Sequence, residues 1–353
     1  MEALNEAMVF WQRHQTAPLE TVESLLDFLT DEAHAVESRA QALEQISLYS
    51  ENAPQLAVWI EALQKRCEPC GLEGGYWRGK ALFDCAGTGG GGMSILNIST
   101  AAVFVLAALG VPVVKHGNRG VTRKSGSADV IEALGISLEI SPAQTSHCLE
   151  EAGAVFLYAP CYHPVLKKLA PVRQFLGSQA KASIFNLVGP LLNPAVPAAQ
   201  MIGVLKPGYL DLYAEILRLL KRPRYLVVWG QDDISALSLS EVSVSGKNEF
   251  RAQMPGSEDP ATWPIERLSG NPLEALRVNN ALESAQRIES ILGGQDNEPG
   301  REFVVANAAA GLCVHRVGLA YVAARDMARE ALDSGKAAGV LTRWRKFSQR
   351  GKN

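Results

Sequence analysis

Positive charge is not in excess in this 353-residue chain: 34 Lys and Arg stand against 37 Asp and Glu, for a formal net charge of −3. A general nucleic-acid binder carries a basic footprint, so that class is disfavoured. Long apolar runs are also missing. The longest, Ile98–Val114, is broken by Ser99, Thr100 and Gly110 and falls short of the ~20 residues of a spanning helix. No charged-then-apolar leader precedes the first helical pattern, and a cytoplasmic protein is expected. Cysteine is sparse and scattered, at positions 67, 70, 85, 148, 161 and 313. The lone CxxC of Cys67 and Cys70 has no second pair with which to close a zinc site; two incidental thiols are expected there ahead of a redox dithiol. Repeats and low-complexity tracts are absent. The basic end, RWRKFSQRGK, is expected to be a solvated terminus rather than a binding arm.

What remains is a globular composition, 47% hydrophobic and 20% charged, long enough for one large core and a smaller satellite domain. Residues 1–68 carry helical periodicity, with Leu25, Leu26, Phe28 and Leu29 clustered and Leu56, Val58, Trp59 and Leu63 recurring. The Gly-rich segment CEPCGLEGGYWRGK breaks that pattern. From Ala81 the grammar changes. Strands ALFDCAG, PVVKHG, AVFLYAP, MIGVL and YLVVWG alternate with helices at Asn97–Leu109, Ser127–Leu134 and Tyr209–Leu220. Such alternation predicts an α/β fold with a central, mostly parallel sheet. The Pro- and Gly-punctuated stretch between Cys161 and Asn193 predicts a crossing back to the helical domain, and Pro272–Phe347 is mainly helical. The expected division is a helical domain over 1–75, rejoined by a returning segment near 161–180, and an α/β domain over 76–353.

Two polar motifs directly follow strands, where ligands sit in such sheets. Gly87-Thr88-Gly89-Gly90-Gly91-Gly92 can turn tightly and present N–H groups to an anion. Asn97-Ile98-Ser99-Thr100 then opens a helix, whose N-terminus favours phosphate. The motif is neither a Walker loop nor a dinucleotide fingerprint. Lys115-His116-Gly117-Asn118-Arg119 follows strand PVV, and Lys and Arg are the usual phosphate partners. Ser127 starts another helix, either as its N-cap or as a ligand contact. Together these predict a cradle for a phosphorylated sugar.

The run GTGG…NIST…KHGNR…KSGSADVIEALG, with HPVLKKLAPVR, IFNLVGPLLNPA, VANAAAGL and the terminal SGKA, closely resembles the anthranilate phosphoribosyltransferase family. The likeness extends in order over roughly residues 80–340. It implies Mg²⁺-dependent transfer of phosphoribosyl from phosphoribosyl pyrophosphate (PRPP) to anthranilate or a similar aromatic amine, in tryptophan biosynthesis. By the same resemblance the glycine loop and Asn97–Thr100 hold pyrophosphate, Ser99 touches the metal, and Lys115 with its neighbours covers the phosphates. Asn118 would face the acceptor, and His163 and Lys181 are further acceptor candidates. The family is commonly homodimeric through its helical domain.

Three positions depart from the family pattern. Gly91 stands where the family loop GTGGDG has aspartate. The family's Asp-Glu metal pair aligns without gaps to Ser235-Ala236, whereas a two-residue deletion would place Asp232-Asp233 there; only the latter offers the oxygens a hard cation needs. The family's LGxRTxFN arginine becomes Ala182, with Lys181 beside it in LGSQAKASIFN. The alternatives implied are a paralogue with another acceptor, or a protein that binds PRPP or a nucleotide without turnover.

Overall fold

The computed structural model describes residues 2–49, 51–72, 74–88, 93–120, 125–179, 181–295 and 299–350. The chain opens with helices α1 (Glu2–Gln12), α2 (Leu19–Thr30), α3 (Val36–Ser47) and α4 (Ala53–Lys65). The side chain of Asn52 caps α4 by accepting from the N–H of Gln55, and Pro54 supplies the fixed φ favoured in a first turn. The buried carboxamide oxygen of Gln55 accepts from Trp11 Nε1 at 2.8 Å and from the N–H of Ala17 at 2.7 Å, tying α1 to α4.

A short hairpin, β1 (Tyr76–Trp77) and β2 (Lys80–Ala81), leads into the sheet: β3 (Phe83–Gly87), α5 (Ile98–Ala108), β4 (Val113–Gly117), α6 (Ser127–Ala133), α7 (Pro142–Ala152) and β5 (Ala154–Tyr158). Helix α5 is apolar on every side and buried over Ala101–Ala107, as a core helix must be. Four short helices follow, α8 (Ala159–Tyr162), α9 (Pro164–Lys168), α10 (Ala170–Ser178) and α11 (Phe185–Val188). Then come β6 (Ala199–Gly203), α12 (Tyr209–Leu219), β7 (Arg224–Gln231), β8 (Ser238–Leu239) and β9 (Asn248–Gln253). Helices α13 (Ala281–Leu292), α14 (Gly300–His315), α15 (Tyr321–Asp333) and α16 (Lys336–Gln349) complete the described chain.

The strands form one seven-stranded sheet in the order β5-β4-β3-β6-β7-β8, with β9 also on β7. β3 to β7 are mutually parallel, and β8 and β9 are antiparallel to β7. The α/β class with a mostly parallel sheet is as the alternation predicted. The order runs outward from β3 in both directions, so the crevice between β3 and β6 is the switch point at which α/β sheets bind ligands.

Two apolar cores flank the sheet. One joins α5, α7 and α13–α16 to β3 and β6, around Phe83, Phe104, Phe303 and Trp344. The other joins Trp11, Leu25, Leu43 and Trp59 to Leu169, Val172 and Leu176 of the returning segment. It continues through Tyr213 of α12 to Ile202 of β6 and Val227 of β7.

Two expectations change. The basic C-terminal end is not a free tail through residue 350: α16 packs on α5 and α7, with Trp344 buried and Arg350 paired with Glu151. Helix α6 is capped not by Ser127 but by backbone Gly126, whose N–H donates to Asp129 Oδ2 at 2.9 Å, as does that of Gly120 at 2.8 Å. Aspartate three residues in reaches both donors; Ser127, already inside the helix, does not.

Candidate active site

Strand β3 ends at Gly87, in register with Gly203 at the end of β6, and the N–H of Thr88 donates to the carbonyl of Gly203 at 2.9 Å. Both strand ends thus open on the switch-point crevice. Gly89, Gly90, Gly91 and Gly92, and with them the position of the missing loop aspartate, lie outside the described residues. The Oγ1 of Thr88 is buried without a partner, and so is that of Thr100 in the first turn of α5. An orphaned hydroxyl is costly unless a ligand or water completes it.

Lys115 occupies the centre. It is 1% exposed, and its Nζ donates to the carbonyl of Cys85 at 2.6 Å and to Ser99 Oγ at 3.3 Å. One ammonium therefore links β3, β4 and the first turn of α5. Both hydrogen-bond acceptors are neutral and Asp84 acts on Lys115 through its charge without a hydrogen bond to it, so the ammonium can still take an anion. Asn97 Oδ1 accepts from Ser125 Oγ and Ser284 Oγ, both at 3.0 Å, which anchors the start of α5 to the approach to α6 and to α13.

On the opposite face of β4, His116 and His163 meet edge-on at 5.2 Å between ring centroids. Both are buried and each Nε2 lacks a partner. Burial pushes His163 down to about 4, and burial, His163 and Lys115 push His116 well below the usual imidazole range. Both rings are neutral at pH 7. Beneath them Asp84 is fully buried, accepting from Asn193 Nδ2 at 2.9 Å and from the N–H of His116 at 3.3 Å. Burial outweighs Lys115 and these hydrogen bonds, and the Asp84 carboxyl is pushed up to about 6. Gly117 has no room for a side chain, since a Cβ would lie 2.1 Å from Ser127 Oγ.

The outer part of the cationic motif faces solvent. Asn118 Oδ1 accepts from the N–H of Arg119, and the Arg119 guanidinium pairs with Asp129 and Glu132 of α6 over the ring of Tyr158. Gly87, Thr88, Asn97, Ser99 and Lys115 are thus brought together, while His116 lies on the opposite face of β4 and Arg119 is engaged by carboxylates.

The predicted metal and acceptor groups divide differently. Asp232 is buried and closes a turn, its Oδ2 accepting from the N–H and the Oγ of Ser235 at 2.7 Å each, while Oδ1 has no partner. Asp233 is exposed and pairs with Arg267 at 2.8 Å. Ser235 and Ala236 are exposed, with Ala236 left-handed at φ +57°. Lys181 reaches α3, its Nζ 2.7 Å from Glu44. Among the described residues no three His, Cys, Asp or Glu side chains converge as a metal cage. The oxygen donor present at the cradle, Ser99 Oγ, suits Mg²⁺, which binds through few protein oxygens and its substrate's phosphates.

Three residues escaped the sequence reading. Arg173 on α10 is half-buried, lies 5.9 Å over the ring of Phe185, and has no carboxylate partner among the described residues; burial lowers its pKa. It stands in the quoted HPVLKKLAPVR, which was the available signal. Ser240 and Glu241 stand in WGQDDISALSLSE, where nothing local marks them.

A parallel sheet with a buried lysine at its switch point suits an anionic ligand, and the glycosyl transferase family (a/b domain) matches residues 79–338, so the chain belongs to that class. More narrowly, the chain belongs to the anthranilate phosphoribosyltransferase family. A relative of that name from Erythrobacter litoralis is 38% identical over 325 residues, 91% of this chain and 94% of its own. One from Thermomicrobium roseum is 35% identical over 335 residues, 93% and 92% of the two chains. The solved anthranilate phosphoribosyltransferase of Thermus thermophilus superposes with a TM-score of 0.82 at 32% identity, covering 99% of this chain and 100% of its own. That of Saccharomyces cerevisiae, in complex with PRPP and Mg, shares the fold with a TM-score of 0.77 at 23% identity, over 94% and 92% of the chains.

Proposed function

We propose that this chain transfers the phosphoribosyl group of PRPP to the amine of anthranilate and releases pyrophosphate, a step of tryptophan synthesis. The observation that carries the reading is Lys115, a buried ammonium held between Cys85 and Ser99 where the strand-end glycines meet. In this reading Gly87–Gly91, Asn97, Ile98, Ser99, Thr100, Lys115, His116, Gly117 and Ser127 form the phosphate cradle, with Asn118 and Arg119 at its rim. Ser99 would hold Mg²⁺, which when bound would supply charge stabilisation for the departing pyrophosphate. Lys115 stabilises the same charge as the bond to C1 breaks, from a buried position where its field is little screened.

The neutral rings of His116 and His163 offer hydrogen bonds to the acceptor without competing as cations. Arg173 takes the acceptor's carboxylate: a guanidinium suits a bidentate clamp, and Lys181 is engaged by Glu44. The helical domain, divided near residue 75, closes over the cleft and keeps water from ribose C1. The protein is a cytoplasmic homodimer in this reading, with exposed Val9 and Leu48 on the helical region supporting the contact.

A second reading, PRPP binding without turnover, draws on Ser235-Ala236. Following anthranilate fluorescence and pyrophosphate release together, with PRPP and Mg²⁺ present, separates the two. Transfer requires both signals to change in step and Lys115→Met to abolish both. PRPP binding with neither signal moving would sink the transferase reading.

A further inference from the structure

The returning segment leaves the sheet after β5 and rejoins it before β6, so it has two junctions with the α/β region, at His163 and at Asn193. Asn193 is 0% exposed. Its Nδ2 donates to Asp84 Oδ2 of β3 at 2.9 Å and to the carbonyl of Val114 in β4 at 2.7 Å, while its Oδ1 accepts from the N–H of Ala195 at 3.0 Å. One carboxamide therefore fixes the end of the segment on both cradle strands. The helices before the sheet hang on the same place, because Gln64 of α4 donates to the carbonyl of Leu191 at 3.2 Å.

The start of the segment is tied to its end. The His163 ring bonds the carbonyl of Leu192, the residue before Asn193, and meets His116 edge-on at 5.2 Å. His116 in turn donates its N–H to Asp84 Oδ1 at 3.3 Å. Asp84, His116, His163 and Asn193 thus close a buried ring that joins both junctions to β3 and β4. The stretch after α4 reaches it too, since the N–H of Glu68 donates to the carbonyl of Tyr162 at 2.8 Å.

Burying a carboxylate and a carboxamide is an expensive way to hold two regions together, and apolar packing would serve stability as well. What directional hydrogen bonds add is a single relative placement. The two sides so placed carry different ends of the reaction. Lys115 follows Val114 on β4, whereas Arg173 lies on α10 within the returning segment.

We propose that Asp84 and Asn193 are positioning residues for the transfer: they set the distance between the acceptor on the returning segment and the phosphoribosyl group at β3 and β4. The proposal rests on the transferase reading of the site. Both side chains are 0% exposed and act without meeting either substrate. When the pair is broken each substrate keeps its own binding groups, so binding survives and the reaction slows.

The test is single-turnover kinetics on the full chain with PRPP, Mg²⁺ and anthranilate, with PRPP affinity measured by calorimetry and folding followed by circular dichroism. Asn193→Ala removes both bonds of the carboxamide nitrogen. Asp84→Asn keeps the shape but leaves one acceptor oxygen for two donors, and serves if the alanine variant does not fold. In each, the rate at saturating substrate should fall about 10- to 100-fold, while the half-saturating anthranilate concentration and the PRPP affinity stay within about threefold. A purely structural role would lower the urea midpoint and leave the saturating rate of the folded protein unchanged, and that result overturns the proposal. So does weakened binding of either substrate at an unchanged saturating rate. If the wild type binds PRPP but transfers nothing to anthranilate, the transferase reading falls and this proposal with it.

Discussion

Lys115 shows how much a single side chain can ask of its surroundings. Its buried ammonium is hydrogen-bonded to a carbonyl and a hydroxyl, with the charge of Asp84 nearby, and in the proposed function it meets the substrate's anion as well. Arg173 poses the same question at the acceptor end, where its guanidinium is half-buried over Phe185 without a carboxylate among the described residues. If it clamps anthranilate, Arg173→Ala should raise the KM for anthranilate by about 10- to 100-fold, the loss of a hydrogen-bonded charge pair, with the KM for PRPP within about twofold. Lys181→Ala, breaking only a surface pair with Glu44, should leave both within about twofold. Steady-state kinetics with each substrate varied decide this. A large effect at Lys181 and none at Arg173 would reverse the assignment.

At the scale of elements, the site is made by strand ends and by what crosses them. Gly203 has no space for a side chain because the Ser240 carbonyl sits over it, whereas Gly208, before α12, has nothing within 4 Å of its would-be Cβ. Gly203→Ala should therefore cost about 1–3 kcal/mol or more by forcing the crossing off the sheet. Gly208→Ala should lie within about 0.5 kcal/mol of wild type. Urea denaturation of the two variants checks the contrast, and equal midpoints would mean that the crossing is loosely held.

The strands and helices that build this edge were legible because their apolar runs are long and their breakers clear. The observed α5, α6 and α12 agree with the spans read for them to within a residue at each end. Strand β6 ends two residues earlier than its apolar run, since Gly203 closes the ladder against Gly87. Strands β8 and β9 were missed. Asn248–Gln253 is polar and lies at an edge, so its pairing with β7 leaves little periodic signal.

For the whole molecule, acid is the informative perturbation. Burial lowers both His163 and His315 from the ordinary 6.5 to about 4. The folded chain therefore holds these rings neutral, while the unfolded chain binds protons as soon as pH drops below about 6.5. Stability present above that pH is lost as pH falls from about 6.5 towards about 4, by up to about 3 kcal/mol for each ring. His315 Nε2 bonds the carbonyl of Ala81, far along the chain from the cradle motifs. His315→Gln can keep that bond and should flatten the fall in urea midpoint between about pH 7 and about pH 4.5. An unaltered fall would show that other groups govern acid unfolding.

Periodicity, glycine and charge at strand ends are local properties, and for that reason the α/β class, the order of most elements and the two polar motifs of the cradle could be read from the linear chain. The missing Asp-Glu pair was visible there too. Which groups stand in for the missing ones is a matter of packing. Ser240 and Glu241 cross the strand ends because Gly203 and Gly230 leave room for their carbonyls. Lys181 turns to Glu44 because the returning segment packs on α3. Asp232 closes its turn because Ser235 lies within reach. Each outcome depends on which residues share a few ångströms of space, a relation that linear spacing does not carry.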